Sequence, residues 1–315
     1  MIDEAIRARA WRDTREKLFS SAAPSPSQVL LSIGAQPGAG KTRALDSSLR
    51  RFYPGQSFVQ VIGDDLRRQH PAYAQLCASP DPELMPRQTA ELSAWLVGQA
   101  LEYAAAHSYS TVVEGTLRRP ETTLGTIHQF ATAGASTHLV VLGVSPADSW
   151  TGCIDRYLSA LEVGQAARWT TLEAHDAGLE GTPGTLRAAE SDPAVHHISV
   201  VDRSGTVHYD NTRSPDGAWR NPARAVEMLE KLRQHPTDPQ ELAARIEALA
   251  ERAARLGAPT SVRAGIERAR ELAQHKPTAV VGTKAEVLEA LHSKARAHTM
   301  EPRANSVARN NAHRL

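Results

Sequence analysis

This 315-residue sequence predicts an α/β fold with a mostly parallel sheet covered on both faces. Three observations carry that expectation. Short apolar runs recur along the chain as far as about residue 212, and each is bounded by polar or glycine-rich residues. Segments with helical spacing separate most of them. The first apolar run, VLLSIGAQ (29–36), also leads straight into a Gly/Pro-rich turn and then a helix.

Taken in order, residues 3–20 read as a charged amphipathic helix, followed by a breaker-rich linker, SAAPSPSQ. After the strand at 29–36 comes a helix, KTRALDSSLRRF. A second strand, SFVQVIGDD (57–65), ends in two carboxylates. A long helix covers about 86–107, with Leu92, Trp95, Leu96, Gln99 and Tyr103 on the helical period. A strand at 111–116, a helix near 120–133 and a strand at 138–144 follow. Helices near 146–162 and 171–190 come next, the second opening on Thr170-Thr171-Leu172-Glu173, a capping-box pattern with Thr170 as cap. A hairpin turning at Ser204-Gly205 and a helix at 220–234 complete the pattern.

Beyond His235-Pro236-Thr237-Asp238-Pro239 the character changes. Residues 240–298 are rich in Ala, Arg and Glu and read as two or three helices, ending in a polar stretch. The expected division is therefore an N-terminal helix and linker (1–28), an α/β domain (29–235) and a helical C-terminal extension (236–315). A solvated appendage is the plain reading of the extension. A partner-binding or autoregulatory segment is the alternative.

Composition narrows the classes. Apolar residues make up 41% and charged residues 23%, enough to bury a substantial core. With 36 Lys and Arg against 35 Asp and Glu, the net charge of +1 supplies no field for nucleic acid or a membrane surface. Two cysteines fit a reducing compartment, and the sequence shows neither a membrane-span run nor a signal-peptide core. The expectation is a cytoplasmic protein that binds neither nucleic acid nor membrane.

The strongest motif is Ala35-Gln36-Pro37-Gly38-Ala39-Gly40-Lys41-Thr42. It matches a P-loop except that Ala35 stands at the first glycine. Gly38 and Gly40 let backbone N–H groups point at a nucleotide's phosphates, and the helix that follows favours negative charge. Lys41 would reach the β- and γ-phosphates, and the Thr42 hydroxyl would ligate Mg²⁺. No Asn/Thr-Lys-x-Asp guanine-reading motif occurs, and no apolar run ends in Asp-Glu, which argues against a GTPase and a motor ATPase. Nothing distinguishes ATP from GTP as donor.

The other strand ends supply polar groups to the same edge of an open sheet. Gly63-Asp64-Asp65 offers a carboxylate where a kinase needs a base for an acceptor hydroxyl. Glu114-Gly115-Thr116-Leu117-Arg118 ends the third strand. Arg156 and Arg168 flank the connection between two helices, where they could stabilise charge on a transferring phosphoryl group.

These pieces together resemble the zeta toxin family, P-loop kinases of bacterial toxin–antitoxin systems. The matching segments are 36–42, Gly63-Asp64-Asp65-Leu66-Arg67-Arg68-Gln69-His70-Pro71, Glu114-Gly115-Thr116-Leu117-Arg118, Arg156-Tyr157, and Arg168-Trp169-Thr170 through His175-Asp176. The resemblance covers about 29–235. It implies a three-layer P-loop kinase fold and transfer of phosphate from ATP or GTP, with Mg²⁺, to the 3′-hydroxyl of the amino sugar of UDP-N-acetylglucosamine. It also implies a cognate antitoxin protein as partner. Carried over, Lys41 grips the phosphates and Asp64 is the base, chosen over Asp65 for its six-residue separation from His70. Arg156 and Arg168 contact the phosphates, while His70, Glu114, Thr116 and Arg118 line the sugar-nucleotide side. One departure stands out: an acid that the family carries in the long helix falls on Gly98, with Glu91 or Glu102 able to replace it only by a register shift. A kinase for another small metabolite or an antibiotic hydroxyl stays open, as does a non-catalytic nucleotide-binding module.

Smaller signals read as structural. His175 and Asp176 start a helix, and His196-His197 lacks spaced metal-ligand partners in the sequence. Cys77 and Cys153 read as packing residues. Trp150, Tyr157 and Trp169 surround the two arginines and are divided evenly between core and ligand contact.

Overall fold

The computed structural model describes residues 2–79, 81–165, 167–234 and 238–274. Six strands form one sheet in the order β2-β3-β1-β4-β5-β6: β1 Val29–Gly34, β2 Val59–Val61, β3 Thr111–Gly115, β4 Ser136–Leu142, β5 His197–Val201 and β6 Val207–Thr212. The first five run parallel and only β6 is antiparallel, closing the hairpin on β5 at Ser204-Gly205. All six residues of β1 are buried, as a central parallel strand requires. Its side chains alternate. Leu30 faces a core shared with α1 (Glu4–Phe19), α5 (Leu84–Ala106), α6 (Pro120–Thr132), α8 (Leu172–Ser191) and α9 (Ala225–Gln234). Leu31 and Ile33 face the opposite core under α2 (Lys41–Phe52), with Ala44 and Leu45. The result is the expected three-layer arrangement.

The second strand is shorter than the sequence suggests. It stops at Val61, and Gly63–Leu66 wind into a helical turn, α3, continued by a 3₁₀ turn at Arg67–Gln69. Residues of α5 hold that turn. Ser93 Oγ donates to Gly63 O at 2.5 Å, and Arg67 Nη1 donates to Pro86 O and Thr89 Oγ1, both at 2.8 Å. Helical geometry therefore replaces the strand expected at Asp64 and Asp65. A short helix, α4 (Tyr73–Cys77), precedes α5.

A third core lies under α7 (Pro146–Glu162). There α10 (Pro239–Arg255) and α11 (Thr260–Gln274) pack Leu242, Ile246, Leu249, Val262 and Ile266 against Trp150, Ile154, Leu158 and Trp169. As far as Gln274 the expected extension is helical, and it shares this core with α7 rather than standing in solvent. The rest of the extension lies outside the described residues.

Two local readings change. Thr171, not Thr170, caps α8, accepting the Ala174 N–H at 3.3 Å, because Thr170 Oγ1 instead accepts from Arg156. His197 does acquire neighbours that the sequence hid. It stacks on His138 at 3.5 Å between centroids, and Nε2 meets Asp210 Oδ1 at 2.6 Å, because β4, β5 and β6 lie side by side. The two rings are only 10° from parallel, and Ser199 Oγ lies between them, 2.8 Å from His138 Nε2 and 3.3 Å from His197 Nε2, donating to Asp210 Oδ1 at 2.7 Å.

Candidate active site

Parallel strands deliver their carboxyl ends to one edge, and there the chain opens a cleft of about 990 Å³. The P-loop forms its floor. Gly38 has φ 75° and Gly40 φ 91°, a region other residues rarely enter. A Cβ on Gly38 would lie 1.9 Å from Ser149 O of α7, so the loop backbone lies directly on that helix. Gly40 caps α2 with no side-chain hydrogen bond, and no acid occupies the first turn of α2. Among the described residues its leading N–H groups thus lack a side-chain acceptor, which makes a fitted cradle for a phosphate chain. Ala35 has ordinary φ, which explains why alanine serves at the usual glycine.

Not every loop residue faces the cleft. Pro37, Gly38, Gly40, Lys41 and Thr42 line it, whereas Ala35, Gln36 and Ala39 are buried behind it. Gln36 is a brace: Nε2 donates to Val144 O at 2.8 Å and Ser149 Oγ at 3.2 Å, and Oε1 accepts from Arg233 at 3.2 Å. Burial pushes the Arg233 guanidinium down to about 10.

Lys41 reaches back to Ala35 O at 3.4 Å. Burial pulls its ammonium below the usual value, opposed by the charge of Glu114. Glu114, the last residue but one of β3, is in register with Ile33 of β1, so the sheet order alone sets it beside the P-loop. Burial raises its carboxyl; Lys41 opposes that and Asp65 adds to it. After Glu114 the chain is tightly guided. Leu117 takes φ 51°, and its side chain fills the space over Gly34, where a Cβ would come within 2.2 Å of Leu117 Cγ. Thr185 Oγ1 donates to Leu117 O at 2.8 Å. Thr116 and Arg118 are thereby turned into the cleft, where Arg118 Nε donates to Thr116 Oγ1 at 3.0 Å.

Asp64 and Asp65 both line the cleft. Asp64 accepts from Arg67 Nε at 3.2 Å and is also ion-paired with Arg168 Nη1. Asp65 instead stands close enough to Glu114 to raise its carboxyl. Arg168 and Arg156 line the same cleft, Arg156 anchored through Nη2 to Thr170 Oγ1 at 2.7 Å. Burial lowers the Arg168 guanidinium.

Of the residues expected here, His70 is the one outside the P-loop that does not line the cleft. Its Nδ1 accepts the Ala72 N–H at 3.2 Å and ties a turn instead. Glu91 pairs with Arg7 and Glu102 accepts from Gln99, while a Cβ on Gly98 would meet open space. None of the three lines the cleft; Glu83 and Arg87 near the start of α5 do. Sequence reasoning also missed Arg203. It follows β5, donates to Asp148 O at 3.1 Å and closes over Gly40. Its only sequence signal was its place two residues past a strand. His175 is fully buried against Ser149 and Asp176, away from the cleft. Trp150 and Tyr157 are core residues, and Trp169 is core that also edges the cleft.

Comparison with known proteins bears on the family and the fold. The family model described as Zeta toxin matches residues 11–214. Toxin zeta of Enterococcus hirae is 26% identical over 205 residues, covering 64% of this chain and 70% of that protein. Toxin PezT of Streptococcus pneumoniae is 23% identical over 209 residues, covering 66% and 79%. A solved chain of the PezAT toxin–antitoxin system of Streptococcus pneumoniae superposes with a TM-score of 0.64 at 19% identity, over 81% of this chain and 97% of that one. A chain of the AvrRxo1-ORF1:AvrRxo1-ORF2 structure with sulphate ions superposes at 0.52 and 15% identity, over 87% and 89%. These superpositions speak for the fold. With the family model spanning about two thirds of its length, the chain belongs to the zeta toxin family.

Proposed function

We propose that this protein is a small-molecule kinase that moves the γ-phosphate of ATP or GTP to the 3′-hydroxyl of the amino sugar of UDP-N-acetylglucosamine, and that it acts as a toxin by depleting a cell-wall precursor. One observation carries the reading: the P-loop, the strand-end acids and two arginines from a separate segment all line one cleft. A simple nucleotide-binding module has no use for a carboxylate paired to an arginine opposite its phosphate cradle. That argues against the binding-module alternative.

In this reading Lys41 and the N–H groups of Gly38, Gly40 and Lys41 bind the phosphate chain of the donor. Thr42 would hold Mg²⁺, which when bound neutralises phosphate charge. Asp64 takes the proton of the acceptor hydroxyl. Arg156 and Arg168 stabilise charge on the transferring group. Glu114, Thr116 and Arg118 orient the acceptor. Membership in a family whose relatives include a toxin–antitoxin system supports a cognate antitoxin as partner. Among the described residues no helix is long and apolar enough to cross a membrane.

Gly98 favours a second reading at the acceptor side. With no acid at that position, and Glu83 the acid of that region that reaches the cleft, a different activated sugar or metabolite hydroxyl would fit. The deciding experiment is mass spectrometry of a sugar-nucleotide pool incubated with the protein, Mg²⁺ and ATP. One added phosphate on UDP-N-acetylglucosamine, abolished by Lys41→Ala, is the expected result. Phosphate on another metabolite selects the second reading, and no nucleotide-dependent product overturns both.

A further inference from the structure

The two cleft arginines are set by one short connection rather than by their own helices alone. Arg156, on α7, donates to Thr170 Oγ1. Arg168 pairs with Asp64. Between Arg168 and Thr170 sits Trp169, 5% exposed and packed edge-on against Trp150 (5.8 Å between centroids) and Tyr157 (5.3 Å). Arg168 and Thr170 are its chain neighbours, so a shift of this indole carries both of them along.

What fixes Trp169 lies beyond the region matched by the family model, which ends at residue 214. Trp150 Nε1 donates to Gly265 O on α11 at 2.7 Å. A Cβ on Gly265 would lie 2.9 Å from Trp169 Cη2 and 3.2 Å from Trp150 Cζ2. Thus α11 touches both indoles at the point where it carries no side chain. A second tie comes from α10. Arg252 donates to Asp155 Oδ1 and Glu162 Oε2, both at 2.7 Å, and to Ser159 Oγ at 3.0 Å. Asp155 precedes Arg156 on α7 and lines the cleft itself. The alternative, that α10 and α11 merely cover apolar surface, leaves unexplained why both ties end on the segment bearing the arginines.

We propose that α10 and α11 position the two arginines, with Gly265 as the contact that sets Trp169 and through it Arg168 and Thr170. For its activity readout this rests on the kinase reading given above. Gly265 and Trp169 are positioning residues: neither acts on the phosphate.

The test is Gly265→Ala in the full chain, where the added methyl must displace an aromatic ring edge. Misplacement of a group by about 1 Å commonly costs about 10²-fold. The expected result is a kcat at least about tenfold lower with donor KM changed less than about twofold, since the P-loop is not touched. Amide hydrogen exchange over 167–171 should rise while that of the P-loop stays as in the wild type. Adding Trp169→Phe, which shortens the ring, should return kcat above that of Gly265→Ala alone. A lower melting temperature with exchange over 167–171 unchanged, or a kcat reduced only in proportion to the folded fraction, overturns the proposal. If the wild-type chain transfers no phosphate at all, the kinase reading fails, and the exchange measurement alone decides the positioning role.

Discussion

Arg168 donates to the carboxylate of Asp64 across 104 residues of chain, joining the segment between α7 and α8 to the turn after β2. Arg67 donates to the same oxygen, Oδ1, from Nε at 3.2 Å. The carboxylate proposed as base and the arginine proposed to meet the phosphoryl group are therefore one connected unit. A change at either end should be felt at the other.

Asp64→Asn keeps the size of the side chain but removes the base and weakens the pair with Arg168. Transfer should fall by about 10²–10⁴, with nucleotide affinity nearly unchanged. Asp65→Asn should be milder, although its closeness to Glu114 makes a modest effect on the pH profile expected. Steady-state kinetics and nucleotide titration of both variants check this. A dead Asp65→Asn beside an active Asp64→Asn would assign the base to Asp65.

Gly34→Ala should destabilise the protein by about 1–3 kcal/mol, the usual cost of overpacking a core. The new methyl would fall 2.2 Å from Cγ of Leu117, a 3% exposed side chain held by the positive φ of its own backbone. Chemical denaturation measures the loss. Because Leu117 leads Thr116 and Arg118 into the cleft, acceptor KM should rise as well, and an unchanged KM would show that this segment tolerates the shift.

A chain ending at Gln234 should be poorly soluble. It would expose Trp150, Ile154, Leu158 and Trp169, which now pack against α10 and α11. Each such side chain is worth about 1.5–3 kcal/mol when buried. Soluble yield and a thermal melt give the readout; a soluble, cooperatively melting chain of 1–234 would show the helices to be dispensable.

Stability should fall on mild acidification. His138 and His175 are buried, and burial holds both imidazoles below their ordinary value of 6.5. The unfolded chain therefore binds more protons than the folded one below that value, and stability rises with pH through this window. Between pH 7.5 and 5.5 the loss should be on the order of 1 kcal/mol for each histidine that stays neutral when folded. Denaturation midpoints at the two pH values test the sign. Replacing His138 by Gln should flatten the dependence if the protein still folds, and His175→Gln provides the independent second measurement.

Much of this molecule was legible in one dimension. Apolar runs at 29–34, 111–115, 136–142 and 197–201 became parallel strands because a strand buried on both faces needs unbroken apolar sequence. The P-loop was legible because its chemistry is local: two glycines, a lysine and a threonine act within eight residues of backbone. Strand order was not legible, and it decides what stands beside Lys41. Only the placement of β3 next to β1 brings Glu114 there. The helical turn at 63–66 was hidden too, because its stabilising partners, Ser93, Pro86 and Thr89, stand 19 to 30 residues further along the chain, on another helix. His70 left the expected site for the same reason: it follows that turn around the corner. Arg203, Trp169 and Gly265 gained their meaning only in three dimensions. A guanidinium, an indole and a missing side chain carry no signal until packing brings them into contact, and contact between distant residues is what tertiary structure adds to sequence.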